Sequence, residues 1–141
     1  MSTTAAAVFD SMATLIEALA VTKATAGDGF LRFDGHPDPE QMPDRTFQIR
    51  LDRGPGDDEV FIRSNRRVME GTIVVAYAYA PEVIDRIARD NVLLSGLLDG
   101  LVQSIADVQQ VEKLDLPNVD YFANVVQVEH EFRLAYLDED C

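Results

Sequence analysis

Along the first third of the chain, Val8, Met12, Leu15, Ile16 and Leu19 recur at steps of three and four, with Phe9 beside them. That spacing predicts an amphipathic helix of roughly five turns. Ser2, Thr3 and Thr4 offer N-cap oxygens at its start. Gly27 and Gly29 end it, in a loop that begins near Thr25. Phe30–Phe33 reads as a short edge segment. Asp34–Asp44 (DGHPDPEQMPD) is irregular, because Pro37, Pro39 and Pro43 remove donors and fix φ. The period then drops to two: Phe47, Ile49 and Leu51 point one way, Gln48 and Arg50 the other, as in a half-buried strand over Thr46–Leu51.

Asp52–Asp58 (DRGPGDD) reads as a break, and Glu59–Arg63 (EVFIR) as a second short strand. Asp52–Arg67 is therefore expected to be an insertion between paired strands, either a mobile loop or a protruding hairpin. Glu70–Ala80 (EGTIVVAYAYA) is β-branched and aromatic, and Pro81 opens PEVIDRIARDNVLLSGLLDGLVQSI, where the period changes to about 3.6. The helical projection puts Ile84, Ile87, Leu94, Leu98, Leu101, Val102 and Ile105 on one face, widened by Leu97. Asn91 falls within that face and needs a hydrogen-bond partner if buried. Glu82 with Arg86, and Asp85 with Arg89, form i,i+4 pairs in the favourable order.

Asp107–Leu114 is a weaker strand, and Pro117-Asn118 turns the chain within Asp115–Asp120. Ala123–Leu137 alternates most clearly. Val126, Val128, His130, Phe132, Leu134 and Tyr136 share one side, and Gln127, Glu129, Glu131 and Arg133 the other. His130, on the apolar side, reads as a satisfied core or edge histidine, with pH sensing as the alternative. The pattern predicts an α+β fold in the order α-β-β-α-β-β. A four-stranded, mainly antiparallel sheet carries two helices packed on one face, with the long insertion between the first two strands.

Composition changes this picture in one respect. The 141 residues suit a single domain spanning 1–141, and 47% hydrophobic with 26% charged residues is ordinary. A formal charge of −13 is not, and argues against a general duplex-binding surface. It suits solubility, or a surface past which nucleic acid must slide. The one cysteine, Cys141, allows no intrachain disulfide or cysteine metal cluster. MSTTAAAVFD lacks the basic start of a secretory signal, and no apolar run approaches the ~20 residues of a membrane span.

Candidate chemistry is sparse. GDG and GPG lack the lysine and strand-to-helix setting of a phosphate loop, and no HExxH, CxxC or EF-hand spacing occurs. His36, beside Asp34 and Asp38, reads as a solvated loop histidine rather than a metal ligand. Glu129 and Glu131 share a strand face and read as solvated carboxylates. The expectation is no enzyme, no catalytic residues, no cofactor and no metal. Two features point instead to contacts between chains. The insertion and its approach hold the only basic cluster, Arg53, Arg63, Arg66 and Arg67, together with Phe61. Contact with DNA or a neighbouring subunit stands against local pairing with Asp52, Asp57, Asp58 and Glu59, the reading favoured for most of these arginines. Gly96 and Gly100 lie on the outer helix face, where each costs ~1 kcal/mol against alanine. They mark either a subunit contact or an unoptimised helix end.

The order of elements, the approach RRVMEGTIVVAYAYA, the helix start PEVIDRIARD and the closing strand VVQVEHEFRLAYL resemble the tail terminator proteins of long-tailed bacteriophages (the lambda U-like family), from the first helix to the last strand. The resemblance implies a structural virion protein in the tail neck, assembled in the host cytoplasm. It implies a homo-oligomer, a hexameric ring, that caps the tail tube, stops its polymerisation and forms the head-attachment surface. The implied partners are the tail tube protein and a head-completion or connector protein, with DNA passing through the lumen and no membrane contact. Two alternatives stay open: another neck protein, such as a head–tail adaptor, or a small cytoplasmic ligand-binding or enzymatic α+β domain.

Overall fold

A computed structural model of the chain describes residues 4–22, 30–33, 44–57 and 66–138. The expected strand at Glu59–Arg63 and the loop histidine His36 lie outside the described residues. The elements are α1 (Ala5–Thr22), β1 (Leu31–Arg32), β2 (Thr46–Asp57), β3 (Arg66–Ala78), α2 (Val83–Asp99), α3 (Leu101–Ser104), β4 (Val108–Lys113), β5 (Asn118–Phe122) and β6 (Val125–Leu137). The fold is α+β, with three helices and a six-stranded mixed sheet rather than two helices and four strands.

The sheet runs β1-β2-β3-β6-β4, and β5 also pairs with β6. Every pairing is antiparallel except that of β1 with β2. β3 is the central strand, buried from Gly71 to Tyr77, which explains its nearly continuous apolar run. Register places Gly71 opposite Phe132, Ile73 opposite His130, Val75 opposite Val128 and Tyr77 opposite Val126. These pairs share the face that both main helices cover. From α1, Phe9 meets Phe132 edge-on, with ring centroids 6.1 Å apart. Gly71 makes room for that pair: a Cβ there would lie 2.8 Å from the Arg50 carbonyl oxygen and 2.9 Å from Phe132 Cζ.

Four expectations are corrected. Asp52–Asp58 is not a break, because β2 continues to Asp57 and pairs with β3 as far as Asp57 opposite Arg67. The register slips between Leu51 and Arg53 and again between Arg53 and Gly56. Pro55 is tolerated because it lies in this bulged stretch, which β1 does not pair. β5 occupies most of what reads as a turn; Val119 pairs with Val128 and Tyr121 with Val126. The long helix breaks at Gly100, which closes α2 and precedes the single turn of α3.

The fourth correction concerns the inner face of α2. Its buried residues are Val83, Ile87, Asp90, Leu94 and Leu98, while Ile84 and Val102 are exposed. The helix is rotated from the projected face because a charged residue, Asp90, sits in the stripe. Asp90 is fully buried and accepts two hydrogen bonds from Arg45: Nε to Oδ2 at 3.1 Å and Nη2 to Oδ1 at 2.8 Å. Tyr77 Oη donates to Asp90 Oδ2 at 3.0 Å. Burial and the facing Asp90 carboxylate raise the Tyr77 pKa far above its ordinary value. Arg45 also stacks over Phe30, 4.8 Å from the ring centroid. Arg86 reaches Asp44 at 3.2 and 3.3 Å rather than Glu82 one turn back. This cluster ties the start of β2, the end of β3 and the middle of α2 together.

Candidate functional site

The helix-covered face is not closed everywhere. β4 pairs with β6 from Phe132 to Tyr136, and β5 pairs with it from Val125 to Glu129. Two short strands thus share one edge of β6, and His130 and Glu131 fall in the gap between them. Leu114–Pro117 crosses that gap, with Asp115 in the left-handed region at φ 52° and the Leu114 amide donating to the Glu131 carbonyl at 3.0 Å. α2 passes above. The result is an open groove of about 650 Å³ between α2 and the β4–β5 connection.

Its lining is mainly apolar, with Val92 and Gly96 on the helix side and Leu116 and Pro117 on the other. Val92 is 72% exposed and Leu116 89% exposed, so two large aliphatic side chains stand in solvent beside it. Charged groups rim it: Asp99, Asp115 and Glu131 against Lys113. Lys113 is held within the groove wall, donating to Ser95 Oγ at 2.7 Å and pairing with Asp99 at 3.0 Å.

Two buried polar atoms line this groove without a hydrogen-bond partner among the described residues: Asn91 Oδ1 and His130 Nε2. His130 is only 5% exposed. Burial drives its pKa from 6.5 down to about 4, so the ring is neutral near pH 7. The expectation of a satisfied histidine is therefore corrected, and the partner that Asn91 requires is not supplied within the described chain. Each such atom costs roughly 1–3 kcal/mol relative to a paired one. A groove of this size, mostly apolar with a few convergent polar groups, is the ordinary form of a recognition site.

The residues singled out from the sequence do not form one site. Gly96 lines the groove and is exposed, and a Cβ there would meet nothing within 4 Å. Gly100 lies at the α2–α3 break, where a Cβ would make only ordinary contacts, the nearest at 3.6 Å. The fold itself requires glycine at neither position. Arg53 is exposed on β2, opposite Glu70, with no ion pair among the described residues. Arg66 and Arg67 begin β3; Arg66 donates to Gln110 Oε1 at 3.0 Å, and Arg67 to the Arg66 carbonyl at 3.3 Å. Asp52 is engaged by Arg50 at 2.8 Å and by the Thr72 hydroxyl. Glu129 pairs with Arg50 at 3.2 Å. Hydrogen bonding to Asp52 is the main cause that raises the Arg50 pKa. Phe61 and Arg63 lie outside the described residues.

No group of histidine, cysteine or acidic side chains among the described residues is arranged to hold a metal ion. No described helix is long and apolar enough to cross a membrane. No protein-family model matches the chain, and no curated protein sequence matches it.

Proposed function

We propose that the chain is the subunit of a ring-forming phage tail terminator: a structural virion protein that caps the tail tube, stops its polymerisation and presents the head-attachment surface. The observation that carries this reading is the resemblance of three segments taken in order. RRVMEGTIVVAYAYA forms β3, PEVIDRIARD opens α2 and VVQVEHEFRLAYL forms β6. In this reading β2, β3, β6 and β4 with α1 and α2 are the four-stranded, two-helix core of the family. β1, α3 and β5 are additions to it. The charge of −13 suits a lumen through which DNA moves without being retained. Glycines that the monomer fold does not require, at 96 and 100, fit a surface completed by neighbouring copies. The partners are then further copies of the chain, six to a ring, with the tail tube protein on one side and a head-completion or connector protein on the other.

The test is to add the purified protein to tail tube protein as it polymerises and image the products by negative stain. Six-fold rings at one end of shortened tubes are expected. Tubes of unchanged length with bare ends would overturn the reading, and binding to the connector alone would move the protein to another place in the neck. One observation favours a second reading. The groove with its unpartnered His130 and Asn91 has the size of a small-molecule pocket, as a ligand-binding α+β domain would have. Native mass spectrometry of the purified chain distinguishes the two: a stoichiometric small ligand on a monomer supports the second.

A further inference from the structure

We propose that residues 114–123, which hold the β4–β5 connection, β5 and its turn, form a flap that lifts off β6 as one unit and gates the groove. The device goes beyond the ring reading and does not depend on it.

The chain is tied down on both sides of this segment. Before it, Lys113 donates to Ser95 Oγ at 2.7 Å and pairs with Asp99 at 3.0 Å, which joins the end of β4 to α2. After it, the Tyr79 amide donates to the Asn124 carbonyl at 2.8 Å, which joins the start of β6 to the end of β3. Between those ties no residue is buried, whereas Val126, Val128 and His130 on the adjoining strand are. Val119 packs on the core and is only half-buried. The side-chain hydrogen bond from Asn118 Nδ2 to Asp120 Oδ2, at 3.0 Å, stays within the segment. What holds the flap down is backbone bonding to β6: the Leu114 amide on the Glu131 carbonyl at 3.0 Å, and the ladder that runs from Asn118 opposite Glu129 to Phe122 opposite Val125. Backbone pairing with few buried apolar contacts marks the least stable parts of a fold, which open before the rest.

The turning points are present as well. Asp115 at φ 52° and Ala123 at φ 46° lie just inside the two ties, both in the left-handed region that a side chain with a Cβ disfavours. Lifting the segment lets both relax. The groove responds because Leu116 and Pro117 form its wall on this side. While the flap is closed, Asn91 Oδ1 and His130 Nε2 are shut off from solvent and have no hydrogen-bond partner among the described residues. Opening admits water to them and offsets the desolvation that the closed state carries.

Hydrogen exchange of the natural chain, followed amide by amide by NMR, tests the flap. The Leu114 amide and the β5 amides bonded to β6 are expected to share one opening, about a hundredfold or more less protected than the amides of β3. Protection equal to that of β3 would overturn the proposal. Separate, unequal openings along the segment would overturn it too, because the flap would then not move as a unit.

A disulfide trap tests the gating. Asn118 and Glu129 are opposite one another in register, a separation that a disulfide spans. The trap protein carries Asn118→Cys and Glu129→Cys, with Cys141→Ser to remove the natural thiol. Its reduced form is the control for these substitutions. Diethyl pyrocarbonate is applied at pH 7, and peptide mapping reads the modification of His130. Oxidation should slow that reaction by about tenfold or more, and reduction should restore it. Equal rates in the oxidised and reduced forms would overturn the gating. Reaction as fast as that of free imidazole in both forms would overturn it as well, since the ring would then meet solvent with the flap closed.

Discussion

Asp90 and Asn91 are neighbours on α2, and the chain treats them oppositely. Asp90 turns toward the sheet and is saturated: Arg45 holds both its oxygens and Tyr77 adds a third hydrogen bond. Asn91 lines the groove, and its Oδ1 is left without a hydrogen-bond partner among the described residues, as is His130 Nε2. Both regions remove polar groups from water, so both incur desolvation. Only the first recovers it within the monomer. A saturated buried cluster locks helix to sheet, whereas an unsaturated one carries a standing cost. The cluster is therefore where the monomer gains stability, and the groove wall is where it loses some.

The largest effect should come from breaking the saturated side. Asp90→Ala removes the carboxylate that takes two hydrogen bonds from the buried Arg45 guanidinium. It also strips the Tyr77 hydroxyl of its acceptor. Arg45 already sits at φ 57°, a backbone region disfavoured by roughly 1–2 kcal/mol for a residue with a Cβ. Its side-chain bonds help to hold it there. The expected loss is about 3–5 kcal/mol in chemical denaturation, the usual cost of removing one partner of a buried pair. A loss below ~1 kcal/mol would mean that water reaches Arg45 and that the two regions differ less than the geometry says.

The next effect separates the regions by pH. His130 is held neutral by burial, with a pKa of about 4 against 6.5 in an unfolded chain. As pH falls, the unfolded chain takes up this proton first. Stability is therefore complete above about pH 6.5 and is lost as pH descends toward 4. The charged residues lining the groove, Asp99, Lys113, Asp115 and Glu131, do not offset the burial. The full loss is roughly 3 kcal/mol, the span from 6.5 to about 4 at ~1.4 kcal/mol per pH unit. His130→Leu should flatten this part of the profile, read as the difference from the natural chain between about pH 7 and pH 4. Equal slopes in both proteins would place the ring in contact with water.

How far these regions can be read from the sequence differs, for physical reasons. The strands flanking the core are legible because strict alternation from Val126 to Tyr136 leaves one interpretation. β5 is not, because its hairpin turn uses Ala123, at φ 46°, where a glycine would have announced it. Pro55 suggests a chain break, but a bulged strand lacking a β1 partner tolerates proline. The rotation of α2 is hidden because Asp90 looks like a surface residue until Arg45, 45 positions away, is placed beside it. The available signal is its spacing, three after Ile87 and four before Leu94. In the groove, Gly96 and the apolar-side His130 stand out in the sequence. That His130 lacks a partner depends on β4 and β5 leaving a gap along β6, which no local pattern encodes.

The smallest effect tests the unsaturated side. Asn91→Leu removes one unpaired buried acceptor and replaces a mediocre helix former with a good one. The monomer should gain about 1 kcal/mol, or roughly 4 °C in Tm. Thermal denaturation of the natural chain and the variant reads this difference. An unchanged or lower Tm would mean that the Asn91 carboxamide is satisfied in solution, and that the contrast with Asp90 is smaller than the geometry says.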